Sequence, residues 1–261
     1  MTLKVAILVK QVPDLEAIVQ VKSADQLDIE DRYVCSFFDE IAIEAALTIK
    51  NSQPDCELVA LSVGGRRASD ALRRSVAMGI DRVEQLGDES HDQLDAFGTA
   101  QILAARLKTE QPQIVLCGKQ AGDDDMSAVG PMLAELLGIV HVSAVVALEV
   151  DSSAGQVRLE RAIEGGQACL TANLPILISA EKGLAEPHIP VVTRVMKAMK
   201  AKIEKFSVEQ LDIEDPGKSV RMRHLGFFPA PSRPEVKMLE QPFPTNVNEL
   251  VRCLKDSGVL S

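Results

Sequence analysis

Aromatic side chains are nearly missing from this chain: it has no tryptophan, one tyrosine and seven phenylalanines in 261 residues. A cofactor site built as a dense aromatic cage is therefore not expected from this chain alone. Basic residues are outnumbered, 28 Lys and Arg against 38 Asp and Glu, for a net charge of −10. Nucleic-acid binders need a basic surplus to meet phosphates, so that class is set aside. The five cysteines, Cys35, Cys56, Cys117, Cys169 and Cys253, are scattered and form no C-x-x-C pair. Neither an iron–sulfur cluster nor a structural zinc site follows from them, and their scatter fits a reducing, cytoplasmic compartment. No apolar run approaches the roughly 18 residues that span a membrane, and the strand-like start shows no signal-peptide cleavage site. His91, His141, His188 and His224 share no ligand spacing and have no nucleophile beside them. No catalytic side chain is nominated.

What is present is a large apolar fraction, 46%, enough for a sizeable core. Residues 3–9, LKVAILV, form a continuous apolar run and read as a first buried parallel strand, broken at Val12-Pro13-Asp14. Residues 19–21 and 29–34 pair as an excursion hairpin. Ser36, with Asp39 three residues later, makes a capping box before a helix. The inward face of that helix is Phe38, Ile41, Ala42, Ala45 and Ile49. Residues 58–63 and 82–86 are further strands, and 68–78 is a helix stopped by Gly79. Residues 95–108 form a helix with Phe97, Ile102, Leu103 and Leu107 inward. Strand 114–117 is followed by helix 126–137, ended by Gly138. Strands alternating with helices predict an α/β fold with a doubly wound, mostly parallel, Rossmann-like sheet. After Gly138 the rhythm changes. Strands at 142–150, 157–163 and 168–172, separated by glycine-bearing turns, predict an antiparallel edge, with 175–178 a further buried strand. Residues 186–190 form a kinked loop before a short helix, 193–200. From 211 onward Pro216, Pro229, Pro231, Pro234, Pro242 and Pro244 keep the chain extended until a final helix at 246–255. The expected division is an α/β domain, 1–210, and a C-terminal arm, 211–261.

One stretch organises these elements: the run QIVLCGKQAGDDDMSAVGPMLAELLG, 113–138. Strand, glycine turn and helix is the geometry in which backbone N–H groups hold a phosphate. It is not a Walker A loop, because Gln120 stands where Ser or Thr is needed. Taken by itself it is either a plain connection or a phosphate cradle. Three adjacent carboxylates, Asp123, Asp124 and Asp125, repel phosphate unless they face other groups. They also fail to converge on one metal ion from so short a turn, so no metal is expected.

GKQAGDDD (118–125) resembles the signature loop of the β subunit of electron transfer flavoprotein. So do FFDEIAIEAAL (37–47), ALRRSVAMGIDRV (71–83), VMKAMKAKIE (195–204), VKQVPD (9–14) and LAEP (184–187), in order over residues 3–215. The resemblance implies a heterodimer with an α subunit that holds most of a redox-active FAD. It implies AMP as a structural ligand of this chain or, in the electron-bifurcating branch, a second FAD. The implied nucleotide contacts are Leu8, Ser36, Phe37, Phe38, Asp39, Val63, Gly118, Lys119, Gln120, Ala121, Gly122, Asp123, Asp124, Asp125, Met126, Ser127, Ala128 and Val129. Ser36-Phe37 and Ser127-Ala128-Val129 depart from the family's usual Asn-Pro and Asn-Gln-Thr. The implied docking loop for acyl-CoA or related dehydrogenases is Pro187, His188, Ile189, Pro190, Val191, Val192, Thr193, Arg194, Val195 and Met196, with Val192 at the usual leucine anchor. A membrane quinone oxidoreductase is an implied acceptor. The chain would thus be an electron carrier and not an enzyme. The competing expectation is a stand-alone ATP-binding sensor module of the same fold, forming a homodimer.

Overall fold

The computed structural model describes residues 2–53, 55–214, 216–222, 225–233 and 235–260; His224 and Pro234 lie outside them. The chain runs β1 (Leu3–Leu8), β2 (Gln11–Pro13), β3 (Val19–Ser23), β4 (Gln26–Ile29), β5 (Tyr33–Cys35), α1 (Phe37–Ser52), β6 (Cys56–Val63), α2 (Arg66–Met78), β7 (Arg82–Leu86) and α3 (Ala96–Glu110). It continues β8 (Ile114–Gly118), α4 (Val129–Leu137), β9 (Val140–Asp151), β10 (Gln156–Ile163), β11 (Gly166–Asn173), β12 (Ile176–Ala180), α5 (Val192–Met199), β13 (Glu204–Phe206) and α6 (Thr245–Asp256). Nine strands form one sheet in the order β11-β10-β9-β12-β8-β1-β6-β7-β13. All neighbours are parallel except β9–β10 and β10–β11, the antiparallel edge.

Side-chain alternation assigns the helices to faces. Val5, Ile7, Leu58, Ala60, Ile114 and Leu116 point into one core with α1 and α2. Ala6, Leu8, Val59, Leu61 and Val115 point into the other with α3 and α4. Each fully buried Ile or Leu contributes roughly 1.5–3 kcal/mol relative to an exposed one. From β1 the chain winds through β6 to β7, then returns to place β8 on the other side of β1. Strand order therefore reverses between β1 and β8. In open parallel sheets the ligand crevice lies outside the carboxyl ends at such a point.

Four local expectations are corrected. In the excursion, Val19 of β3 pairs with Ile29 of β4, but Tyr33–Cys35 leaves that ribbon and pairs with Gln11–Pro13. Buried Val12 fastens that second ribbon to the core. No capping box forms at α1: the Ser36 hydroxyl is buried without a partner, and the Asp39 carboxylate bonds elsewhere. Helix α4 starts at Val129, not Met126, because Asp125 and Ser127 sit at φ +50° and +53°, left-handed values that a helix excludes. Phe97 is half-buried at the rim, with the Arg221 guanidinium 4.8 Å above its ring. The helix stops hold: Gly79 and Gly138 take φ +128° and +66°.

Beneath the outer strands lies a charge cluster. Glu84 of β7 is fully buried and takes two bonds from the Arg106 guanidinium, both 2.8 Å. Arg106 also reaches Glu110, and Arg82 bridges Glu84, Glu110 and Glu57. The ring of Phe206, on β13, covers the Arg106 guanidinium at 4.3 Å. Removing Arg106 takes two bonds from the fully buried Glu84 and leaves it Arg82 alone, which costs more than the intact pair contributes. Arg106→Met should lower the unfolding free energy by about 3–5 kcal/mol in urea titrations, and adding Glu84→Leu should recover most of that loss.

Candidate functional site

The carboxyl ends of β1 and β8 are tied together by one side chain. Asp39, in the first turn of α1, is buried. Its Oδ2 accepts the Lys10 N–H and its Oδ1 accepts the Gly118 N–H, both at 2.8 Å. Gly118 is required by this closeness: a β-carbon there would stand 2.6 Å from Asp39 Oδ1 and 2.7 Å from Phe38 Cβ. Burial pushes the Asp39 carboxyl up to about 7, against the pull of the two N–H donors and the Lys10 ammonium.

The aspartates of the loop are each committed inside the protein. The Lys10 ammonium bridges Asp123 at 2.8 Å and Asp124 at 3.2 Å. Asp124 also accepts the Met126 N–H, and Asp125 accepts from the Gln120 amide at 2.7 Å. Their charge is thereby drawn to Lys10 and Gln120. Lys119 pairs with Glu181 while lying 5.0 Å from the Phe38 ring centroid. Past the loop, the N–H groups of Ser127, Ala128, Val129 and Gly130 find no protein acceptor among the described residues. Those of Ala128, Val129 and Gly130 are the donors that a helix start leaves over, and Ser127 precedes the cap. Burial holds the Cys117 thiol at about 12, so it is a core residue and not a nucleophile.

On the β6 side, Gly64 turns at φ +116°, and a β-carbon there would meet Asp92 Oδ1 at 2.3 Å. Asp92 accepts the Gly65 N–H at 2.8 Å, and the buried Gln85 amide donates to the Gly64 and Gly65 carbonyls. The Ser69 hydroxyl donates to the Gln85 carbonyl oxygen at 2.6 Å and fixes that amide.

Between these walls lies a cavity of about 260 Å³. Of the residues expected at a nucleotide site, Leu8, Asp39, Val63, Gly118, Lys119, Gln120, Ala121, Asp123, Asp124, Met126, Ser127, Ala128 and Val129 line it. Ser36, Phe37, Phe38, Gly122 and Asp125 stand outside its lining. Residues outside the expected set also line it, among them Arg67, His91 and Asp92. Lys10 lay within the motif VKQVPD, and its place just after a strand marks it as a crevice residue. Arg67 had no local signal. Among the described residues no group of His, Cys, Asp and Glu could hold a metal ion.

The expected docking residues form a separate feature. His188 Nδ1 lies 2.6 Å from Glu44 Oε2, which anchors the loop to α1, and Pro190 is buried. Ile189, Val191, Val192, Val195 and Met196 are exposed, Ile189 by 87% and Val192 by 74%. Thr193 and Arg194 are exposed and Pro187 is half-buried. Among the described residues no helix is long and apolar enough to cross a membrane.

A doubly wound sheet, a cavity at its switch point and free amides at a helix start define a doubly wound α/β protein with a crevice suited to an anion. Residues 27–211 match the model of the electron transfer flavoprotein domain. An electron transfer flavoprotein subunit beta of Syntrophomonas wolfei is 34% identical over 200 residues, 77% of this chain and 78% of that protein. The subunit beta of Megasphaera elsdenii is 33% identical over 82% of this chain and 81% of its own length. That of Bacillus subtilis is 28% identical over 97% of both. The chain belongs to the electron transfer flavoprotein family, on the β-subunit side.

The Asp39 brace carries a pH signature. An ordinary aspartate titrates near 3.8 in the unfolded chain and near 7 here, so the folded protein holds the proton more tightly. Its contribution is therefore present at low pH and lost as pH rises from about 4 to about 7. Asp39→Asn removes that slope, so the difference in unfolding free energy between the native protein and the variant should shrink across this window. A difference that is flat with pH would contradict the assignment. An amide offers a single acceptor oxygen, so Lys10 or Gly118 N–H is also left unpaired, at a cost of about 1–3 kcal/mol.

Proposed function

We propose that this chain is the β subunit of a heterodimeric electron carrier, whose α subunit holds most of a redox-active FAD, and that its own cavity takes an adenosine 5′-phosphate. That ligand is AMP, or the AMP half of a second FAD. The observation that carries the reading is the set of four free amides, Ser127 to Gly130, lining the switch-point cavity beside Asp39. The residues present fit the group. Amides at a helix start favour a phosphate. Strand-end backbone at Leu8 and Val63 suits an adenine edge. Asp39 oxygens each keep a second lone pair for a ribose hydroxyl. Ala128 and Val129 lack hydroxyls, so at those positions the phosphate would rest on main-chain donors.

FAD supplies the electron chemistry when bound. This chain binds, orients and docks. The exposed apolar row of Val191, Val192, Val195 and Met196, flanked by Arg194 and Lys197, suits a partner's apolar pocket with an acidic rim. We assign it to a dehydrogenase of the acyl-CoA type, from which electrons pass to an acceptor such as a membrane quinone oxidoreductase. Leu225, Phe228, Val236, Met238 and Phe243 are more than two-thirds exposed. That exposure supports residues 211–261 as an arm lying on the α subunit.

Denaturing the purified heterodimer and identifying the released nucleotides by mass spectrometry tests the reading. One FAD with one further adenine nucleotide, or two FAD, is expected; a single FAD alone would overturn the assignment of the cavity. Val192→Asp should slow electron transfer from the dehydrogenase by about tenfold or more, since a charge would enter an apolar pocket, while the released nucleotides stay the same.

A further inference from the structure

Among the described residues three lysine and arginine side chains line the cavity, and two are already neutralised. The Lys10 ammonium sits between Asp123 and Asp124, and Lys119 pairs with Glu181. Arg67, at the start of α2, differs. Its guanidinium stacks on the Tyr33 ring, with Cζ 3.9 Å from the centroid, and donates one bond, 2.6 Å, to the Tyr33 hydroxyl. Among the described residues no carboxylate stands within ion-pair distance of it. Tyr33 is the chain's single tyrosine and sits on β5, the ribbon folded over the end of β1. A neutral partner thus fixes the direction of Arg67 while leaving its charge and four of its five donors unused.

The free amides and Arg67 belong to different parts of one wall. The amides follow β8 and Arg67 follows β6, with β1 between them. Two strand spacings are about 10 Å, and both features line the same cavity. The cavity therefore offers two separate positive features to one ligand. Lys10 does not add a third, because two carboxylates share its charge. A single phosphate satisfies the amides or the guanidinium, whereas a diphosphate engages both. The planar guanidinium matches the paired oxygens of a phosphate.

We propose that Arg67, positioned by Tyr33, selects a ligand carrying an adenosine 5′-diphosphate unit over AMP. This rests on the nucleotide reading given above and sharpens it. The unit comes from free ADP or from the pyrophosphate half of a dinucleotide such as FAD. Arg67 acts as a specificity determinant with no part in electron transfer.

The test is to dialyse purified heterodimer against AMP, ADP and FAD at equal concentration and count the retained nucleotides by native mass spectrometry. The native protein should retain ADP or FAD over AMP by about tenfold or more, the scale of one charge-assisted bond. The ADP and FAD arms separate the two sources. Arg67→Gln should bring the ratio near one with undiminished AMP occupancy, and Arg67→Lys should keep part of the preference. Tyr33→Phe, a milder change that retains the ring, should lower the ratio without emptying the cavity. Equal retention of AMP in the native protein, or an unchanged ratio in Arg67→Gln, would overturn the proposal while leaving the nucleotide site intact. No adenine nucleotide beyond the α-subunit flavin in any protein would instead remove the underlying reading.

Discussion

The buried carboxylate of Asp39 is the constraint on which the site depends. It joins α1 to the ends of β1 and β8 through two backbone N–H groups that no strand partner takes. Strand order reverses between those two strands, so the brace sits where a parallel sheet opens. It sets a steric condition as well, because only glycine fits at 118. Without it two partly buried backbone donors would lose their acceptor.

The loop beyond Gly118 shows how an acidic sequence can border an anion site. Lys10 gathers Asp123 and Asp124, and Gln120 holds Asp125, so the carboxylates serve the loop's own shape. Backbone strain accompanies that arrangement, with Asp125 and Ser127 both left-handed. Such positions persist only where surrounding contacts over-determine them. The result is a delayed start to α4, which leaves the amides of cavity-lining residues 127–130 without a protein acceptor among the described residues.

The docking segment and the cavity are built on different principles. The cavity is polar, braced and inward. The segment at 187–199 shows apolar groups outward, held from behind by His188 on Glu44 and by burial of Pro190 and Ala198. After α5 the chain enters the sheet as β13, where Phe206 caps the Glu84–Arg106 pair. The segment's position is thus tied to a buried charge cluster in which neither partner tolerates loss of the other.

Much of the fold was legible from local rules. The run RVEQL became β7 at the expected bounds, and apolar runs closed by glycine marked β6, β8 and their helices. Local pattern also named the loop side of the cavity wall, but not the side formed by α2 and α3. It assigned Asp39 to a local cap with Ser36, the ordinary role of such a pair. The tertiary structure decided otherwise, because the partners of Asp39 lie 29 and 79 residues away and a buried carboxylate goes where two donors are unpaired. The pairing of Lys10 with Asp123 spans 113 residues, and no local pattern announces Arg67 on Tyr33. By itself the sequence determined the main strands and helices, the parallel sheet and the family, since these rest on periodicity and contiguous motifs, but not the short strands β2 and β13. The tertiary structure alone decided which charges are neutralised and which remain free, because that depends on side chains meeting across the ends of different strands.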